Sequence, residues 1–313
     1  MSIALVVDAA CDLPKKFLDE RGIVLFPIAI NVDGTSYLDD KDPKKLQSFY
    51  QNNLLTLEHS AESIPFAVDE IESLFLDTIV NKYDFALIQT VSKKRSQIFE
   101  NSSNAQPAIL KSYRNKKQQG ELTGHFGMRV MNSSTVFTGQ AILATYTSDL
   151  IAAGRSKQDI VRMAEVFRDK IHAYAVPPDV SYIRDRARKR GEDSLSAVSA
   201  LLAKSLDLKP VIKAKNDETS AIAKFRGFNS AIDRLFTYAA ERIEQGLLSP
   251  YVVVSIAGQE KDLLRFESFM TLTKVAKQHK VTLLTCVMGL TTGLNLGPGA
   301  ISLGLAAEEH EFK

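Results

Sequence analysis

Ile3-Ala-Leu-Val-Val-Asp-Ala-Ala-Cys-Asp-Leu-Pro14 opens on an unbroken apolar run that stops at Asp8. Such a run with β-branched members is the pattern of a strand buried on both faces of a parallel sheet. Ala9 and Ala10 allow a tight turn, Asp12 is placed to cap a helix, and Pro14 suits a first helical turn, where its missing N–H costs nothing. The segment predicts strand, turn and helix start. In open α/β sheets ligands gather beyond the carboxyl ends of the strands, so Asp8 to Asp12 falls where a site is expected. Asp8 suits equally a turn in which its carboxylate only satisfies backbone amides.

Working outward, Ile23 to Val32 is a second apolar run, broken by Pro27 and so placed at an edge or bulge. Asp42-Pro43 starts a helix over residues 43–53, and Ile71, Leu74, Phe75 and Ile79 stripe another over 67–81. Between them, Ser60 to Phe66 reads as an irregular loop. Strands follow at 84–89 and 129–131, with a turn at 90–95 and a helix at 96–113. This alternation predicts a doubly wound parallel sheet, α/β in class. Amphipathic helices are expected at 138–153 and 158–170, with Gly154 at a helix C′ position. Beyond His172 the pattern becomes mixed α+β, with strands at 173–176, 210–213, 219–226, 251–256 and 281–287. Helices are expected near 178–190, 195–205, 228–246 and 260–278. The chain divides into domains 1–153 and 154–313, with residues 60–67 free to pack against the second.

At 313 residues, two domains of ordinary size are the natural expectation. With 45% hydrophobic and 24% charged residues the chain has a globular composition. Its 39 basic and 37 acidic side chains leave a formal charge of +2, too little for a polyanion-binding surface, which disfavours nucleic acid. Cys11 and Cys286 lack a nearby second cysteine and read as buried free thiols. No stretch resembles a signal peptide or a bilayer span, so a cytoplasmic location is expected.

Catalytic signatures are missing: no Walker A run, no Gly-x-Ser-x-Gly, no His-Glu-x-x-His. Gly297-Pro-Gly299 is followed by Ser302 where a dinucleotide fingerprint needs glycine, so no nicotinamide cofactor is expected, and no metal. What remains are polar groups at strand ends: Asp8, Ser92 and Ser96, and Ser133 and Ser134. Hydroxyls near helix N-termini can donate to a carboxylate or phosphate, or act simply as caps. Arg184 to Arg190 is the densest charge run, either a solvated helix face or a docking patch for an acidic partner.

Together these segments resemble the DegV family of bacterial fatty-acid-binding proteins across essentially the whole chain. The likeness is carried by Val7 to Pro14, by Val91-Ser92-Lys-Lys-Arg-Ser96, and by Asn132-Ser133 before Gly139-Gln140. It continues through Leu208 to Ile212, Ala223-Lys-Phe-Arg226 and Gly297 to Ala300. The resemblance implies an N-terminal Rossmann-like three-layer domain, a C-terminal mixed α/β domain and a buried long-chain fatty acid. No cofactor is implied. It implies a carrier, not an enzyme, presenting the fatty-acid carboxylate to a fatty-acid kinase subunit for acyl-phosphate formation in phospholipid synthesis, with transient contact at a membrane surface. By the same likeness Ser63, Ser92, Ser96, Glu62 and Asn295 hold the carboxylate. Arg226, Arg188 and Arg190 face the partner, and Asp8, Asp12, Gly297 and Gly299 form the scaffold. The sequence departs from the family at Glu62, which replaces a threonine, at Gln97-Ile98, which replace glycine-threonine, and at Asn295, which replaces a histidine. A rival expectation is an enzyme on this scaffold, with Asp8 and a protonated Glu62 acting on a small polar ligand. A third is a regulatory member with an altered pocket.

Overall fold

The computed structural model describes residues 2–189 and 207–312. Its first layer is a parallel sheet of β1 (Ile3–Asp8), β2 (Val24–Phe26), β6 (Phe85–Thr90) and β7 (Gly127–Asn132), in the order β2-β1-β6-β7. The opening run explains itself here. Ala4 and Val6 face one side, packing against α3 (Val68–Thr78) and α4 (Ile98–Gln118), while Leu5 and Val7 face the other. A strand with apolar partners on both faces cannot alternate.

Pro27 ends β2, an edge strand, and the chain leaves that sheet for a second one. β3 (Ile28–Val32) forms the centre of a small antiparallel sheet, flanked by β4 (Thr35–Asp39) and β5 (Ala61–Ile64). β5 replaces the irregular loop expected at Ser60 to Phe66. Its four residues alternate between the two faces, and so short a polar stretch carries no strand signal until β3 offers its edge. Asp42 caps α2 (Pro43–Gln51), accepting from Lys44 N and Lys45 N.

The C-terminal sheet runs β10-β9-β8-β13-β11-β12 and is mixed, with only β11–β12 parallel. Its strands are β8 (Ile171–Val176), β9 (Leu208–Lys215), β10 (Glu218–Arg226), β11 (Tyr251–Ile256), β12 (Thr282–Val287) and β13 (Ile301–Ala306). One face is covered by α8 (Phe228–Gln245) and α9 (Glu267–Gln278), a 3-10 turn at Glu260–Arg265 preceding α9. The other face meets α5 (Thr138–Ala152). That helix is buried almost all round because it lies between the two large sheets, so the amphipathic expectation fails for it, whereas α6 (Lys157–Arg168) buries a single stripe. Gly304 permits the approach: a Cβ there would lie 2.4 Å from Thr138 O. α7 (Val180–Lys189) matches the expected helix near 178–190, and the one expected at 195–205 lies outside the described residues. β13 and α10 (Leu290–Leu296) were not anticipated.

Candidate functional site

A cavity of about 790 Å³ opens where the three sheets converge. Its floor is the inner face of the C-terminal sheet, with Ala173 and Ala175 of β8 and Ile212 and Ala214 of β9. Alternation explains the space. Between the two alanines, Tyr174 turns its ring away to bond Tyr238, so the residues facing the cavity are small. Ile28, Val91, Val136, Phe137 and Leu296 add apolar wall.

Ser63, Ser96 and Asn295 line this one cavity. Ser63 lies opposite Ile30 in the register and faces inward with it. Ser96 Oγ accepts from Ile98 N at 3.3 Å, and Asn295 Nδ2 donates to Thr291 O at 2.7 Å across one turn of α10. Glu62, one residue from Ser63, falls on the opposite, exposed face of β5 and pairs with Asn31, so it does not border the cavity. Ser92 is also displaced: it is buried, does not line the cavity, and donates to Asp217 at 2.6 Å.

Of the scaffold residues, Asp8 takes the second of its two readings and satisfies backbone amides, whereas Asp12 does other work than the helix cap expected of it. Asp8 accepts from Val91 N at 2.7 Å and Ala10 N at 2.9 Å, tying two strand-end turns together, and burial pushes its pKa up to about 6. Asp8 is buried, Glu62 is exposed and neither lines the main cavity, so the cavity does not offer the acid pair of the enzymatic alternative. Asp12 does not cap α1 (Lys15–Glu20), whose N-cap is Pro14. Fully buried, it accepts instead from Lys41 Nζ, Thr292 Oγ1 and Gly289 N, each at 3.1 Å, and from Ser255 Oγ at 2.8 Å. Burial lowers the Lys41 pKa, but the Asp39 and Asp12 carboxylates outweigh it and hold the ammonium above the usual lysine range. Gly297 and Gly299 have positive φ, at 90° and 79°, and Gly297 lies against the Tyr182 ring at a neighbouring cavity of about 310 Å³. Arg226 and Arg188 are exposed, Arg226 3.8 Å from Asp207 and Arg188 3.0 Å from Asp185, and neither lines the main cavity; Arg190 lies outside the described residues.

Reading the sequence missed the cations on the cavity wall. Lys93, Lys94 and Arg95 all line it, with Glu100 the acidic side chain beside them, and Lys94 ion-pairs with Glu218. The signal was present as the basic triplet between Ser92 and Ser96. Cys11 and Cys286 are buried free thiols, as expected. Among the described residues no metal-binding cluster occurs, and no helix is long and apolar enough to cross a membrane.

An α/β protein with a mainly apolar cavity and polar groups at strand ends is the class these features define. The model of the DegV family of uncharacterised proteins matches residues 2–308, and the chain belongs to that family. It is 36% identical over 312 residues to a DegV domain-containing protein of Xanthomonas axonopodis pv. citri, covering 100% of this chain and 99% of the relative. It is similar in fold to a stearic acid-binding protein from Eubacterium ventriosum, with TM-score 0.78, 17% identity and 98% of each chain covered. The Fatty Acid Kinase B3 protein of Streptococcus pneumoniae, solved loaded with linoleic acid, matches with TM-score 0.72 and 16% identity over 98% of this chain and 99% of that one.

Proposed function

We propose that the chain is a cytoplasmic carrier, not a catalyst, that binds a long-chain fatty acid in the cavity between its sheets. The observation that carries this reading is the cavity of about 790 Å³, apolar along its floor and bordered by Ser63, Ser96, Asn295 and Lys93. Burying roughly 14 methylenes at about 0.8 kcal/mol each gives about 11 kcal/mol before association costs. The acyl chain supplies affinity. The carboxylate must be paired, since a buried unpaired one takes up a proton or costs several kcal/mol. Serine hydroxyls, an asparagine amide and an ammonium supply those donors. The likeness to a stearic acid-binding protein and to a protein solved loaded with linoleic acid supports the same ligand class.

The carrier presents its carboxylate to a fatty-acid kinase subunit, the partner suggested by the likeness to the streptococcal protein. Arg226 and Arg188, both exposed, are assigned to that contact. The cargo is a ligand, and no cofactor is required.

Native mass spectrometry of the purified chain, followed by denaturing lipid extraction, tests the reading. A mass excess resolving into stoichiometric long-chain fatty acid is the expected result. A ligand-free mass that does not shift with added oleate or palmitate sinks it.

A further inference from the structure

β9 begins a hairpin that turns at Asn216 and Asp217 into β10, and its side chains alternate. Ile212 and Ala214 face the cavity, so Lys213 and Lys215 lie on the other side of the sheet, where Tyr174 of β8 is opposite Lys213 in the register. Residues 308–312, which follow β13, cross that side. His310 Nε2 meets the Tyr238 hydroxyl, and the Phe312 ring lies 4.5 Å from the Tyr238 ring. Here the side chains of Lys215 and Lys213 are only 12% and 17% exposed, while Glu309, the carboxylate that reaches both, is 70% exposed. Its two oxygens take one ammonium each: Oε1 lies 3.5 Å from Lys213 Nζ, and Oε2 accepts from Lys215 Nζ.

A third cation stands beside them. Arg242 of α8 donates from Nη1 to Gln245 at 2.6 Å, but its Nε is buried and has no hydrogen-bond partner among the described residues. The neighbouring acids are engaged elsewhere, Glu241 with Arg234 and Glu308 with Lys170. The imbalance is felt at His310. Burial and then the Arg242 and Lys213 cations hold its pKa below the ordinary histidine range, against the opposing pull of the Glu308 carbonyl and Glu309. His172, 3.4 Å from Lys215 Nζ, is kept neutral, its pKa brought down to about 3 by burial and by the same lysines, so it adds no charge. Three partly buried cations thus share one carboxylate, and like charges held together without counter-ions repel.

We propose that Lys213, Lys215 and Arg242 form an anion site on the back of the cavity floor, which takes a phosphate dianion in exchange for the Glu309 carboxylate. Inorganic phosphate and the phosphoryl group of a monoester share this chemistry. Glu309 shows the mode of binding, since two oxygens of one group bridge two ammoniums. A tetrahedral phosphate repeats that bridge and keeps an oxygen for the guanidinium, whose fork suits phosphate. Being mostly exposed, the Glu309 carboxylate is returned to water at little cost when it is displaced. None of the three cations lines the cavity, so this site stands or falls independently of the carrier reading.

The test is calorimetric titration of sodium phosphate, and separately of glycerol 3-phosphate, into the full chain at about pH 8, where a phosphate monoester is close to doubly charged. Sodium chloride holds the ionic strength constant, so general screening cancels. Glu309→Gln removes the resident carboxylate and is expected to bind phosphate at least roughly tenfold more tightly than wild type, the worth of one hydrogen bond to a charged group. Adding Lys215→Gln should cancel that gain, and Arg242→Gln alone should weaken wild-type binding by about the same factor. Binding of inorganic phosphate alone supports the site with the free ion as its ligand, and matching binding of glycerol 3-phosphate supports it with a monoester. No saturable phosphate signal from Glu309→Gln overturns the proposal, as does equal binding by wild type and Glu309→Gln, or a gain that survives Lys215→Gln. A thermal melt establishes that Glu309→Gln folds. If it does not, Arg242→Gln carries the test, and phosphate binding equal to wild type then overturns the proposal.

Discussion

Asp12 and Asp217 both reach from one half of the molecule to the other. Asp12 leaves the first strand-end turn for Ser255, Gly289 and Thr292, and Asp217 leaves the C-terminal hairpin for Ser92 and Asn132. The first is wholly buried, with an ammonium and three further donors around it, while the second is only partly buried. Lys41 even holds a left-handed backbone, φ 59°, beside its partner. A buried charge that gathers every partner it needs becomes architecture, because nothing can replace them without stranding it. A partly buried carboxylate at a hairpin tip keeps water as an alternative partner, so it fastens the two halves together at a smaller cost if it is lost.

Removing Asp12 should have the largest effect. Asp12→Ala leaves the Lys41 ammonium buried with Asp39 3.8 Å away, and breaking a buried pair this way costs about 3–5 kcal/mol. A sharp fall in melting temperature is expected, and an unchanged melt would erase the contrast with Asp217. Asp8 gives the next effect, through pH. Its carboxyl titrates at 3.8 when free and is pushed up by burial to about 6 when folded. Below the lower value both states are protonated and the group takes nothing from stability. Between the two values the folded state binds the extra proton, so this group's contribution to stability falls as pH rises, by about 3 kcal/mol in all at 1.36 kcal/mol per unit. Denaturant titrations should therefore show wild type losing stability relative to the non-titrating Asp8→Asn between about pH 4.5 and about pH 7.5, and a difference that does not change with pH would mean that Asp8 titrates normally. Smallest is the ion pair beside Asp217: Lys94 and Glu218 are 54% and 75% exposed, and Lys94→Ala should cost less than about 1 kcal/mol in stability. A larger loss would show that the hairpin tip, like Asp12, is architecture.

The parallel layer was legible because its strands lie inside it: Ile3 to Val7 and Phe85 to Ile88 are apolar on both faces, and that pattern survives in one dimension. β13 was not, although it lies in the interior of the C-terminal sheet. Ser302 and Gly304 interrupt its apolar run, and both depend on α5, Ser302 by bonding Thr138 at 2.7 Å and Gly304 by admitting the helix backbone. At the site, Ser63, Ser96 and Asn295 were named from the family likeness, while Glu62 was misread because one step along a strand reverses the face.

By itself the sequence determined the α/β class, the order of most elements, the buried thiols and, through its motifs, the family. Those features are written in local periodicity and in residue types at short spacing. Only the tertiary structure decided that Asp12 binds Lys41 and not a helix end, that the cationic turn borders the cavity, and that Asp217 lies on Ser92. Each joins residues from distant parts of the chain, and a contact across that separation leaves no trace in the periodicity of either segment.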